Sequence, residues 1–335
     1  MAQPLSRPRL TAVRPMWAIE GARVNVVGSG FVVDGDGLPE VRIGGVPARV
    51  VFASSGILGV LVPSGLQPGP VPVEVDGAML DRLFVGVAAP VASGIHQVDN
   101  PVFDREGNLY VTDSGARGTR VPVSIFRVRP DGTRDPFVSG IVNATAMAFG
   151  ADGDLYVTSR FEGSVYRVKP DGRSEVYAAD LGIACGLVFG PDGSLFVGDR
   201  SGTVFRVGTD GKAAAFASLP PSVAAFHLAM GPDGYLYVTA PTLSPVDSVY
   251  RIDPEGGVST FYTGFGRPQG LTFDAQGALY VVEALAGSSG VYRFHGDRVT
   301  EQVCAAAGLV GMAIDPVHGI ALSSNDTLYR LPVRV

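Results

Sequence analysis

Cysteine is scarce, with Cys185 and Cys304 the only two in 335 residues, which excludes a disulfide-stapled scaffold. No apolar run is long enough to cross a bilayer as a helix. The opening MAQPLSRPRLTAVRPMWAIE carries Arg7, Arg9 and Arg14 but no apolar core of signal-peptide length. A membrane partner is therefore excluded, and a cytoplasmic location with two free thiols is expected. Runs of Lys and Arg are missing as well: 26 basic residues stand against 32 acidic ones, for a net charge of −6. The electrostatic footprint of nucleic-acid binding is absent. Catalytic fingerprints are equally rare. No GxSxG elbow, HExxH, P-loop or dinucleotide motif occurs in a supporting context, and no base can be placed beside Cys185 to activate it as a nucleophile.

What is plentiful is turn chemistry: 45 Gly and 25 Pro with 46% hydrophobic residues describe a turn-rich, all-β globular protein. Gly186 to Leu219, GLVFGPDGSLFVGDRSGTVFRVGTDGKAAAFASL, reads as four short strands separated by Gly190-Pro191-Asp192-Gly193, Asp199-Arg200-Ser201-Gly202 and Thr209-Asp210-Gly211. Copies recur about every 40 residues, a period that with four strands per unit specifies a β-propeller. The second strand reads Leu109-Tyr110-Val111, Leu155-Tyr156-Val157, Leu195-Phe196-Val197, Leu236-Tyr237-Val238, Leu279-Tyr280-Val281 and Ile320-Ala321-Leu322. An aromatic-Arg pair in the third strand, from Phe126-Arg127 to Tyr329-Arg330, marks the same units, so six blades are expected. The Arg of that pair recurs in every blade and reads as structural. The last repeat stops after its third strand. Pro90 to Gly94 resembles the missing fourth, so a strand near residues 90–94 is expected to close a six-bladed ring spanning 88–335.

Ahead of it, residues 1–14 read as a flexible lead and 15–87 as an antiparallel sandwich, with alternation at Val24 and Val26, Val41 and Ile43, and Val71, Val73 and Val75. Gly28-Ser29-Gly30-Phe31, Ile43-Gly44-Gly45-Val46-Pro47-Ala48 and Val62-Pro63-Ser64-Gly65 resemble the IPT/TIG immunoglobulin-like family. That resemblance implies a spacer or protein-contact module, and no site is carried over from it. The repeats resemble NHL-type propellers and, in FGPDGSLFVGD and PQGLTFDAQGALYVVE, the gluconolactonase and senescence-marker-protein family of metal-dependent lactonases and related hydrolases.

In a propeller, the crossovers into inner strands and the exits from second strands converge at one end of the axis, the expected place for a small-molecule ligand. The gluconolactonase resemblance implies a divalent cation there, Ca²⁺, Mg²⁺, Mn²⁺ or Zn²⁺, polarising a lactone carbonyl. Carried over residue by residue, the carboxylate ligand is Asp99, and the later positions are Cys185 and Gln269. Glu283 and Asp199, leaving second strands, are further candidate ligands. His96 and His227 in crossovers are candidate bases. Arg160, Arg200 and Arg267 at the same end can orient a carboxylate or phosphate, Arg267 with a catalytic role in view. His295 and His318 fall in turns at the opposite end. Two functions remain open: a metal-assisted hydrolase of lactones or small esters, and a non-catalytic propeller that binds a sugar, peptide or protein.

Overall fold

A computed structural model of the chain describes residues 8–33, 37–285, 287 and 289–331. The fold is all-β, with a single 3₁₀ turn at Gly296–Arg298 among the described residues. No helix among them is long and apolar enough to cross a membrane. The chain divides into two compact units: 1–89 with 286–292 and 300–307, and 90–285 with 293–299 and 308–335.

The first unit contains a four-stranded sheet in the order Arg9–Arg14, Arg23–Ser29, Ile57–Leu61, Val50–Ala53. Strands Val46–Ala48, Val41–Ile43, Gly69–Val75 and Ala78–Val87 form a second, antiparallel run. Alternate residues of both sheets, Val24, Val26, Leu58 and Val60 with Ile43, Val73, Val75 and Val85, are fully buried, the period-2 pattern of a sandwich core. The flexible lead expected over 1–14 is corrected here for its second half, because Arg9–Arg14 pairs along Arg23–Ser29; residues 1–7 lie outside the described residues. A bulge between Leu10 and Ala12 brings Leu10 and Val13 to the same buried face despite their odd spacing, which hides the strand from an alternation test. Trp17–Ala18 then runs parallel both to Gly86-Val87 and to Cys304-Ala305. Gly86 is required at this point, since a Cβ there would overlap the Trp17 ring.

The second unit is a succession of meander sheets. Four of them are Val102–Phe103 to Arg134–Val138, Ala144–Phe149 to Ser174–Ala178, Ala184–Phe189 to Ala213–Ser218, and His227–Met230 to Val258–Phe265. Pro268–Phe273 pairs with Leu279–Glu283 as the start of the fifth repeat. Ala89–Ser93 occupies the edge of the last sheet beside Thr327–Leu331, followed by Gly319–Ser324 and Leu309–Asp315. Neighbouring sheets share apolar clusters. One, containing Ile95, Leu109, Val111, Val128, Ala321 and Leu328, joins the last sheet to the first.

The two repeat markers have one physical cause. The aspartates of the first turns, such as Asp152, Asp192 and Asp274, accept the N–H two residues on and hold the chain at Gly153, Gly193 and Gly277, whose φ values near +80° suit glycine. The third-strand Arg reaches back to that turn, as Arg167 does to Asp152 at 2.7 Å, Arg206 to Asp192 and Arg293 to Asp274 at 3.6 Å. The guanidinium lies over the second-strand ring in Arg167–Tyr156 and Arg293–Tyr280. In these sheets the Arg acts as a strut between the third strand and the turn.

Candidate functional site

Crossovers and second-strand exits of the second unit surround a cavity of about 450 Å³. Its lining includes His96, Gln97, Arg160, Cys185, Arg200, Arg267, Gln269 and Asn325, with Ile183, Val223, Leu309 and Val310 as apolar wall. Of the sequence candidates, His96, Arg160, Cys185, Arg200, Arg267 and Gln269 line this space, and His227 and Asp99 sit behind it.

Asp99 ends the crossover into the first inner strand and is 5% exposed. Its Oδ1 lies 2.7 Å from His227 Nδ1 and accepts the Asn100 N–H at 2.6 Å, while Oδ2 is buried without a partner among the described residues. His227 is fully buried, with Nε2 3.2 Å from Gln269 Oε1. The chain Asp99, His227, Gln269 thus ends at the cavity wall in an amide. Asn100 ties the inner strands together: its Nδ2 donates to the Leu271 carbonyl, and its Oδ1 accepts the Met312 N–H. His227 takes the position held by Gly186 in its neighbour, and Phe226, also fully buried, stands against that glycine.

The remaining candidate ligands do different work. Glu283 accepts the N–H groups of Gly266, Arg267 and Leu285 at 2.6 to 2.9 Å. Asp199 accepts those of Ile183 and Ser201 and the Ser201 hydroxyl. Asp113 does the same for His96. These second-strand carboxylates staple the crossover of their own sheet, so their lone pairs point at backbone rather than at the cavity. Among the described residues no group of three or more His, Cys, Asp or Glu is placed to hold a metal ion. In the expected cation set of Asp99, Gln269, Glu283 and Asp199, the last two are turned to backbone N–H groups. Asp99 Oδ2 is the one uncommitted carboxylate oxygen in it, too few for an oxygen-ligated divalent ion.

His96 is exposed at the cavity mouth, its Nδ1 3.1 Å from the Gly115 carbonyl; donation there leaves Nε2 as the basic nitrogen. The Cys185 thiol is pushed up to about 12 by burial, with the Asp99 carboxylate adding to the effect, so it is not a nucleophile at neutral pH. Arg200 is held by the carbonyls of Ser222 and Val223 at 3.2 and 2.9 Å. Burial lowers the pKa of Arg160, whose side chain has no hydrogen bond or ion pair among the described residues. Sequence reasoning passed over Gln97, 2% exposed and lining the cavity with both amide atoms unpartnered. Its signal was available: it lies in the same crossover as His96 and Asp99, and every polar residue of that stretch merited weighing.

Residues 8–83 match the IPT/TIG domain. The IPT/TIG match starts six residues before Arg14, inside the supposed lead, in agreement with the strand found there. No curated protein matches the sequence. Among solved structures, a gluconolactonase from Xanthomonas campestris is similar with a TM-score of 0.61 and 18% identity, over 72% of this chain and 89% of that one. Virginiamycin B lyase from Staphylococcus aureus gives 0.54 and 16%, over 73% and 97%. An auxiliary nutrient binding protein from Bacteroides ovatus gives 0.56 and 14%, over 98% of both chains. At these identities the likeness establishes the shared propeller fold.

Proposed function

We propose that the protein is a six-bladed, gluconolactonase-like propeller that binds a small organic molecule in its axial cavity, with the IPT/TIG domain serving as spacer or protein contact. One observation carries this reading: crossovers and second-strand exits enclose about 450 Å³ lined by converging polar side chains on an apolar wall, the usual size and make-up of a ligand site. The chemistry at the wall favours binding over turnover. Cys185 is protonated, His227 is sealed behind Gln269, and among the described residues His96 is the one basic side chain other than arginine in the lining. The nutrient binding protein that aligns over 98% of both chains supports the same reading. A cytoplasmic location belongs to the proposal and is checked by fractionating cells that express the full chain.

The test is a thermal-shift and calorimetric survey of the full chain with neutral and acidic sugars, lactones and short peptides. A ligand at about 100 times its Kd raises stability by about 2.7 kcal/mol. Gln269→Ala is expected to abolish the shift. A survey in which no compound moves the melting point rejects the site.

The second reading, hydrolysis of lactones or small esters, is favoured by the Asp99–His227–Gln269 chain, which orders an amide at the wall where a carbonyl can dock. It predicts proton release from a lactone panel, lost in His96→Ala and Gln269→Ala. The donors present do not fit a divalent cation, so no step is routed through one. Stoichiometric Ca, Mg, Mn or Zn by elemental mass spectrometry, with a melting point that falls on chelation, would reverse that conclusion.

A further inference from the structure

We propose that the axial cavity is built for a small organic anion, a carboxylate or phosphate ester, anchored by Arg160 and read by Gln97. The inference rests on the cavity being a ligand site and adds the charge of the ligand. In a chain of net charge −6, the charged lining of this cavity is Arg160, Arg200 and Arg267, with His96 at the mouth; among the described residues no Asp or Glu lines it. The nearby acids Asp199 and Glu283 accept backbone N–H groups and form no ion pair with these arginines among the described residues. A guanidinium taken partly out of water without a partner is costly, and at Arg160 the neighbouring Arg200 and Arg117 add repulsion. Bound oxyanion relieves both penalties, and the planar fork of Arg160 suits two parallel hydrogen bonds.

A second observation points the same way without using charge. Gln97 is 2% exposed, and neither its amide N–H₂ nor its carbonyl has a partner among the described residues, although it borders the cavity. Buried polar groups in this state await a ligand or water. An amide offers both a donor and an acceptor, so Gln97 suits a hydroxyl or carbonyl on the body of the ligand. Ile183, Val223 and Leu309 give that body an apolar wall, which favours an organic anion over a bare inorganic one. Clustered arginines at the mouth also attract anions at long range.

The experiment is titration calorimetry on the full chain with D-gluconate and D-glucose 6-phosphate as anionic probes, D-glucose and D-glucitol as neutral counterparts, and inorganic phosphate. The expected result is that at least one organic anion binds at least about tenfold more tightly than its neutral counterpart, and more weakly as salt rises from about 20 to about 200 mM. Which of the two wins separates carboxylate from phosphate ester. Arg160→Gln is expected to cost that anion at least about tenfold in affinity while leaving the ligand-free melting point equal or higher, since it removes an uncompensated charge. A purely structural arginine would instead lower the melting point. Arg160→Lys should keep part of the affinity, and Gln97→Leu should weaken organic anions but not inorganic phosphate. Equal binding of neutral and anionic probes, or indifference to Arg160→Gln, overturns the anion assignment while the cavity remains a ligand site. Silence from both anions at about 10 mM overturns it as well. Silence from the neutral probes too, with no hit in the wider survey, removes the site itself.

Discussion

The Cys185 thiol borders the cavity, yet burial and the Asp99 carboxylate push it up to about 12, leaving roughly one thiolate in ten thousand at pH 8. Iodoacetamide at pH 8 is therefore expected to leave Cys185 and the buried Cys304 unmodified in native protein and to label both in guanidinium, as read by mass spectrometry. The turn aspartate Asp192 shows the opposite shift. Hydrogen bonds from Ser194, with Arg206 behind them, hold it from 3.8 down to about 2. Because the folded value is the depressed one, its contribution is complete above the unfolded pKa and is lost as the pH falls from about 4 through about 2. Asp192→Ala should cost about 1 kcal/mol at neutral pH, with mutant and parent converging in urea melts toward the acid end of that window. Asp99 carries a larger stake. Removing one partner of its buried contact with His227 orphans the other, so Asp99→Ala should cost about 3 kcal/mol, part of which is recovered by adding His227→Leu.

Edges decide the behaviour of the elements. Strand Arg9–Arg14 covers one edge of Arg23–Ser29 and contributes Leu10 and Val13 to the core. A chain beginning at residue 15 should be less stable than the full chain and tend to associate through the bared edge. Its alternation was invisible because the bulge shifts the register by one. The strand Ala89–Ser93 was legible for the opposite reason, since it keeps the composition of the fourth strands it replaces. Just past it, Ile95 is 1% exposed within the cluster joining last and first sheets. Ile95→Ala should cost about 3 kcal/mol in urea denaturation. A value near zero would show that this junction does not help to hold the sheets together.

For the whole molecule, the repeat boundaries do not coincide with the compact units: residues 286–292 and 300–307 of the fifth repeat group with the N-terminal segment. Trp17–Ala18 pairs with Cys304-Ala305, where Ala18, Cys304 and Ala305 are buried. A chain lacking residues 1–87 thus bares the edge of Thr300–Ala305 and should melt lower than the full chain and self-associate in size-exclusion chromatography. Unchanged melting and a monomeric profile would show that this pairing contributes nothing to stability.

Local sequence alone determined the turns, the strand succession and the repeat, because a Pro-Asp-Gly turn or an alternating strand imposes its geometry within a few residues. It also determined that Asp99, His227, Gln269, His96 and the three arginines gather at one end, since equivalent positions of a repeat share a location. What it could not determine was where each side chain points. Asp199, Glu283 and Asp99 look alike as rim carboxylates, and tertiary structure alone sends the first two to backbone N–H groups and the third to a histidine 128 positions away. Among the described residues the same folding leaves the Arg160 side chain and the Gln97 amide without hydrogen-bond partners. Hydrogen-bond satisfaction is settled among all groups in reach at once, and that reach is set by packing between sheets rather than by spacing along the chain.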